Sequence, residues 1–250
     1  MTKQNSIVTG KAELEALREA CRLSAKLRDT LAKRVKLGKT PLELNEFTRE
    51  WGIKHGVKNA LKGYHGFPSY VCISVNDACC HGVPTDRPFA SGDVVKLDVS
   101  LKFDGYHGDT CTTVIVGRGT PTADKLLQVA EGATRTGINH VKPGAWTGSI
   151  GHEIESYVKY HEHQLLREFT GHGIGKRLHM GPSMPNWGRM GTGDILVPGM
   201  VVTVEPIIVS GSTATKILED NWTVQTLDRC LAAQFEHTIL VTQDGHEILT

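Results

Sequence analysis

Little in this chain points to a membrane, a secreted scaffold or a nucleic-acid trap. No stretch approaches the roughly 20 apolar residues that a bilayer-spanning helix needs. The opening residues, Met1 to Ser6, lack the apolar core of a signal peptide, so the expected location is the cytoplasm. Net charge is scarce too: 28 Lys and Arg against 27 Asp and Glu leave +1. Neither membrane association nor sequence-specific nucleic-acid binding is expected of so balanced a surface. The six cysteines, at 21, 72, 79, 80, 111 and 230, form no CxxC pair and no zinc-like Cys/His spacing. They read as reduced, small apolar core residues rather than a disulfide framework. Linkers and low-complexity segments are absent, and 250 residues at 39% hydrophobic content suffice for one full core. One local imbalance stands out: residues 1–60 hold thirteen Lys and Arg against seven acids. That surplus reads either as the solvated face of helices or as a contact with an RNA-rich surface such as a ribosome.

What is present is an ordered set of four acids and one histidine: Asp98, Asp109, His172, Glu205 and Glu236, each at the edge of a β-type apolar run. Asp98 interrupts the β-branched run 94–99, and Glu205 does the same in 201–208. A single acid inside a strand is ordinarily matched by Arg or Lys. Four such sites, with too few basic residues nearby, point instead to metal, because buried carboxylates repel one another and are costly to desolvate. Two divalent cations balance four carboxylates, with one imidazole as the neutral fifth ligand. An oxygen-rich set with one nitrogen suits Mn, Fe, Co or Zn in the divalent state and does not choose among them. A pair of such ions is a usual hydrolytic centre.

His172 lies in Thr170-Gly171-His172-Gly173-Ile174-Gly175, where the glycines allow a tight turn that brings the imidazole inward. His81 and His179 form a second pair of turn-borne histidines. His237 adjoins Glu236 and faces the other way if that segment is a strand, so it is left out. Tyr64, Phe67, Cys72 and Trp222 serve equally as a substrate pocket or as plain core.

The pattern is also written twice. Residues 12–35 read as an amphipathic helix, and Thr40-Pro41-Leu42-Glu43 opens another with a capping box and proline at the first position. Residues 121–140 are again helical in pattern, and Thr147 opens a helix through about His163. Gly92-Asp93-Val94-Val95-Lys96-Leu97-Asp98 echoes Gly199-Met200-Val201-Val202-Thr203-Val204-Glu205; the matched offsets are 62 residues from Lys36 to Asp98 and 63 from Lys142 to Glu205. A third echo sets Asp109 before Val114-Ile115-Val116 and Glu236 before Ile239-Leu240-Val241. Three matches in one order predict an internal duplication, about 12–117 and 121–250, within one α+β domain spanning 1–250. A two-fold arrangement then brings all four acids to the centre.

Over roughly residues 10–250 the chain resembles the type I methionine aminopeptidases. The resemblance rests on Gly63-Tyr64-His65-Gly66, His81-Gly82-Val83-Pro84, Asp104-Gly105-Tyr106-His107-Gly108-Asp109-Thr110, Gly171-His172-Gly173-Ile174-Gly175, Glu205-Pro206, Asn221-Trp222-Thr223 and Gln234-Phe235-Glu236-His237-Thr238. It implies the pita-bread fold, two pseudo-two-fold halves of helices packed on a curved antiparallel sheet. It implies two divalent ions: Asp98 and Asp109 on one, His172 and Glu205 on the other, Asp109 and Glu236 bridging. His81 and His179 are then expected to face the scissile peptide, and Leu61, Tyr64, Phe67, Cys72, Leu178 and Trp222 to line a methionine pocket. The implied activity is removal of the N-terminal methionine from peptides and nascent chains, with small second residues favoured, by a monomer. His172 and Glu205 are only 33 residues apart, which leaves out the long insertion of the type II enzymes. The short first segment is likewise expected to leave no room for an N-terminal zinc-binding extension. Leu178 and Met180-Gly181 depart from the usual aromatic residue and two acids around His179; neither position supplies a metal ligand. The alternatives are a proline-directed aminopeptidase or dipeptidase of the same fold, and a non-catalytic binding module.

Overall fold

The computed structural model describes residues 6–250; residues 1–5, on which the signal-peptide expectation largely falls, lie outside the described residues. In chain order the helices are α1 (Lys11–Ala32), α2 (Pro41–His55), α3 (Pro121–Asn139) and α4 (Thr147–Tyr160). The strands of the first half are β1 (Lys58–Asn59), β2 (Cys72–Val75), β3 (Ala78–Cys80), β4 (Val94–Phe103) and β5 (Tyr106–Ile115). Those of the second begin with β6 (Gln164–Leu165), β7 (Gly171–Gly173), β8 (Met180–Met184), β9 (Val201–Val204) and β10 (Ile207–Val209). They end with β11 (Thr215–Ile217), β12 (Val224–Thr226), β13 (Ala232–Gln234), β14 (His237–Val241) and β15 (His246–Ile248).

Each helix follows from its sequence. In α1, Leu17, Cys21, Ser24, Leu27 and Leu31 are buried at three- and four-residue spacing, the stripe of an amphipathic helix. It ends three residues before the expected 35, because the chain turns toward Gly38 at φ 79°. At α2 the capping box is complete: Thr40 accepts from the Glu43 N–H and Glu43 from the Thr40 N–H. Thr40 also makes Pro41 the first helical residue. α4 stops at Tyr160, short of His163, since Glu162 takes a left-handed φ of 58°.

The strands pair antiparallel, and α+β describes the result. β4 and β5 form a ten-residue hairpin closed by Asp104 and Gly105, both at positive φ, as a tight hairpin turn demands. β1 and β2 lie along the other side of β4. A five-stranded sheet runs β15-β14-β9-β7-β8, and two smaller ones run β13-β10-β6 and β11-β12-β3. α1 rides directly on β5. A Cβ at Gly108 meets the Cys21 backbone at 2.6 Å, so only glycine lets the helix approach so closely. One apolar core, with Leu27, Leu31, Trp51, Leu97 and Leu101, fills the space under α1 and α2. Another, with Leu126, Ile150, Ile154, Val202 and Ile239, lies under α3 and α4.

Between these cores runs a polar seam. Cys111 and Glu236 exchange backbone hydrogen bonds at 3.3 and 2.9 Å. The Thr238 hydroxyl donates to the Asp109 carbonyl at 2.8 Å, and the Asp109 N–H donates to the same hydroxyl at 3.3 Å. Thr110 and Thr113 donate to the carbonyls of Glu236 and Gln234. The fully buried Lys96 ammonium donates to Asn76 and Ala232 carbonyls at 2.8 and 2.9 Å, and burial pulls its pKa down to about 8.

Candidate metal centre

The four acids meet at this seam. Asp98 pairs with Cys111 and Ser100 with Asp109 across the hairpin, so period-two alternation puts Asp98, Ser100 and Asp109 on one face. Glu205 and Glu236 stand differently from expectation. The run 201–208 is no continuous strand: it breaks at Glu205-Pro206 into β9 and β10, which belong to different sheets. Proline has no N–H for the ladder, and the break frees the carboxylate to turn inward. Glu236 sits in the equivalent gap between β13 and β14.

His172 is presented by β7. A Cβ on Gly173 falls 1.8 Å from the Gly181 carbonyl oxygen, so glycine is obligatory beside the imidazole. Nδ1 lies 3.0 Å from the Gly173 carbonyl, which only accepts; the proton therefore sits on Nδ1, and the Nε2 lone pair faces the acids. Nε2 is 3.8 Å from Asp109 Oδ2 and 3.5 Å from Glu205 Oε1. Ligand atoms of Asp109, His172 and Glu236 all lie within 4.8 Å of one another.

Neutral hydroxyls hold the acids in place. Ser100 donates to Asp109 Oδ1 at 2.7 Å. Thr203, fully buried, accepts the His172 N–H at 3.0 Å and donates to Glu205 Oε1 at 2.6 Å. Burial pushes all four carboxyls up, Asp109 to about 6, and the charge of Asp109 raises Asp98, Glu205 and Glu236 further. Four carboxylates that disfavour one another's ionisation, with a lone pair aimed among them, are a donor set suited to divalent metal. Divalent metal offsets that charge and fits the oxygen-rich, single-nitrogen set.

All thirteen residues singled out from the sequence line one cavity of about 510 Å³. The five candidate ligands are joined there by His81 and His179, and by Leu61, Tyr64, Phe67, Cys72, Leu178 and Trp222. Phe67 and Trp222 meet edge to face, ring centroids 5.2 Å apart, and with buried Leu61, Cys72 and Leu178 they make an apolar wall. His179 shares a hydrogen bond of 2.7 Å with the Tyr64 hydroxyl through Nδ1, and its ring centroid is 4.2 Å from that of His172. His81 occupies a left-handed backbone position at φ 53°, and desolvation by the walls lowers its pKa. His237 turns away, its Nδ1 at 2.8 Å from the Thr250 carbonyl.

Ser100, Thr203, His65 and Arg177 were not singled out from the sequence. Ser100, His65 and Arg177 also line the cavity, whereas Thr203 lies behind it. Their signal was faint: Ser100 and Thr203 each stand two residues from an acid in an apolar run, the spacing that puts both on one face where the strand is continuous, as it is for Ser100 and Asp98.

The model of metallopeptidase family M24 matches residues 15–243. The chain is 46% identical to methionine aminopeptidase A of Synechocystis sp. over 239 residues, covering 95% of this chain and 94% of that one. A solved methionine aminopeptidase of Rickettsia prowazekii superposes with a TM-score of 0.96 at 42% identity, over 99% of this chain and 100% of that one. A more distant likeness, to the prolidase of Pyrococcus furiosus, has a TM-score of 0.79 at 21% identity; it covers 98% of this chain but 65% of that one, and concerns the fold alone.

Proposed function

This chain belongs to metallopeptidase family M24 and has its pita-bread fold, and from that premise we infer that it is a metal-dependent methionine aminopeptidase. It hydrolyses the first peptide bond of peptides and nascent proteins that begin with methionine. The observation that carries the reading is the convergence of four carboxyls and one imidazole beside an apolar-walled cavity of about 510 Å³.

In our reading the centre holds two divalent ions, Mn, Fe, Co or Zn. Asp98 and Asp109 would hold one and His172 and Glu205 the other, with Asp109 and Glu236 as ligands shared between them. Such ions, when bound, acidify water and polarise a carbonyl. The chain's own residues do the rest. Leu61, Phe67, Cys72, Leu178 and Trp222 take up the methionine side chain and exclude water around it. The Tyr64 hydroxyl donates to His179 Nδ1, so that Nε2–H points its proton at the developing oxyanion. Glu205, steadied by Thr203, carries the proton of the attacking water to the leaving amine. His81 hydrogen-bonds near the scissile nitrogen. Small second residues are favoured, as the resemblance to the type I enzymes implies.

We read residues 1–250 as one catalytic unit with halves near 12–117 and 121–250, supported by the sequence echoes and by acids arriving in pairs from each half. We also read the enzyme as a cytoplasmic monomer. Its free cysteines suit a reducing compartment, and among the described residues no helix is long and apolar enough to cross a membrane. The basic surplus of residues 1–60 is partly engaged on helix surfaces, Arg22 with Glu19, Lys39 with Glu43 and Arg49 with Glu46. A ribosome contact through the remaining cations is tested by co-sedimentation.

The test of the reaction is methionine release from Met-Ala-Ser, compared with Gly-Pro and an Xaa-Pro tripeptide, by protein loaded in turn with each of the four metals. Cleavage of the proline substrates alone makes it a proline-directed relative. Peptide binding without turnover at any metal makes it a binding module.

A further inference from the structure

Beside the catalytic cavity lies a second, of about 520 Å³, and the two share His81 and Trp222 as common walls. Phe169 closes it against His81, the rings edge to face with centroids 5.6 Å apart. Its other side is Thr215, Lys216 and Ile217, the whole of β11. Among the described residues that strand pairs only with β12, in the order β11-β12-β3, and so forms the edge of its sheet.

The register decides which backbone groups face outward. Leu227 N–H donates to the Ala214 carbonyl at 2.8 Å, and Leu218 N–H donates to the Thr223 carbonyl at 2.9 Å. Bonded and non-bonded positions alternate along an antiparallel ladder, so 214, 216 and 218 bond toward β12. The N–H and C=O groups of Thr215 and Ile217 consequently point away from β12, along the open edge. Ile217 is 65% exposed, an apolar β-branched side chain on an uncovered strand. An edge of this kind is a ready template for another extended chain.

We propose that the substrate's third to fifth residues lie extended along β11 and pair with the outward backbone groups of Thr215 and Ile217. The proposal rests on the aminopeptidase reading, which sends the peptide past His81 and Trp222 once its methionine is seated. Three residues of β11 at about 3.3 Å each match about three residues of peptide. Main-chain pairing gives affinity without dictating side chains, the mode suited to an enzyme whose substrates share only their first residue.

The experiment measures kcat/KM for a series running from Met-Ala-amide to Met-Ala-Ser-Val-Thr-amide, capped so that no terminal carboxylate intrudes. Two added main-chain hydrogen bonds predict a gain of roughly tenfold along the series. N-methylation of the third and fifth residues should differ from N-methylation of the fourth, because only one parity faces β11. Ile217→Pro removes one outward donor without touching a ladder bond and should lower the long-to-short ratio from roughly tenfold to roughly threefold, one of the two bonds being lost, while Ile217→Thr keeps it. A second readout needs no turnover: hydrogen exchange at the Thr215 and Ile217 amides should slow when Ala-Ser-Val-Thr-amide is added. Equal kcat/KM at every length, or N-methylation that acts alike at all three positions, overturns the groove and leaves the aminopeptidase standing. No methionine release from any peptide overturns the aminopeptidase, and the exchange measurement then still judges the groove: unchanged exchange refutes it.

Discussion

Thr203→Val tests whether neutral hydroxyls set the strength of the metal site. Valine matches threonine in shape, so the fully buried position stays filled. The change removes the 2.6 Å hydrogen bond to Glu205 and the acceptor of the His172 N–H at 3.0 Å. A hydrogen bond to a charged group contributes about 1.5–3 kcal/mol, and an unsatisfied buried N–H costs about 1–3 kcal/mol. The first loss falls on the ligands' orientation and the second on stability. Removing a partner that orients a ligand typically weakens metal affinity by about 10–100-fold. The expected outcome is such a weakening, measured by calorimetric titration of the metal-free protein, together with a lower Tm. Thr203→Ser keeps the hydroxyl and should keep most of the affinity. Affinity within about twofold of wild type for Thr203→Val, well below the loss expected when a ligand's orienting partner is removed, would refute the idea that one hydroxyl fastens two ligands.

Other outcomes follow from the same geometry. Asp109→Ala or Glu236→Ala removes a proposed shared ligand and should abolish methionine release and lower the metal stoichiometry; full turnover by either variant with metals loaded would clear it of bridging. His179→Ala should lower kcat by roughly 10²–10³, the usual loss of one oxyanion donor, and Tyr64→Phe should do the same less severely, since it only frees the Nδ1 partner. The metal-free protein should lose stability as pH rises from about 4 to 6. Its carboxyls hold their protons more tightly folded than unfolded, Asp109 up from 3.8 to about 6. Tm scans across that window check this, and saturating metal should remove the slope. Gly108→Ala drives a methyl into the Cys21 backbone at 2.6 Å and should cost stability without altering the site's residues, read from a denaturant midpoint.

The acids were legible because charge inside apolar runs has so few explanations, and the helices because their stripes and caps are strong local signals. The breaks at Glu205-Pro206 and before β14 were not. An apolar run such as 201–208 reads as one strand until tertiary pairing assigns its halves to different sheets. The anchors Ser100, Thr203 and Thr238 were missed for another reason. A hydroxyl in a strand resembles ordinary β propensity, and only its distance of two residues from an acid sets it apart. Arg177 and His65, at the cavity mouth, belong to turns whose course no periodicity predicts.

One feature of the seam bears on how such a protein changes over generations. Glu236 fastens to Cys111 through its own N–H and C=O, and Asp109 fastens to Thr238 in the same way, while both side chains face the cavity. Stitching and chemistry thus reside in different atoms of the same residues. Stripping a carboxylate by an isosteric amide leaves every stitch in place, so a descendant that surrenders hydrolysis can inherit the scaffold whole.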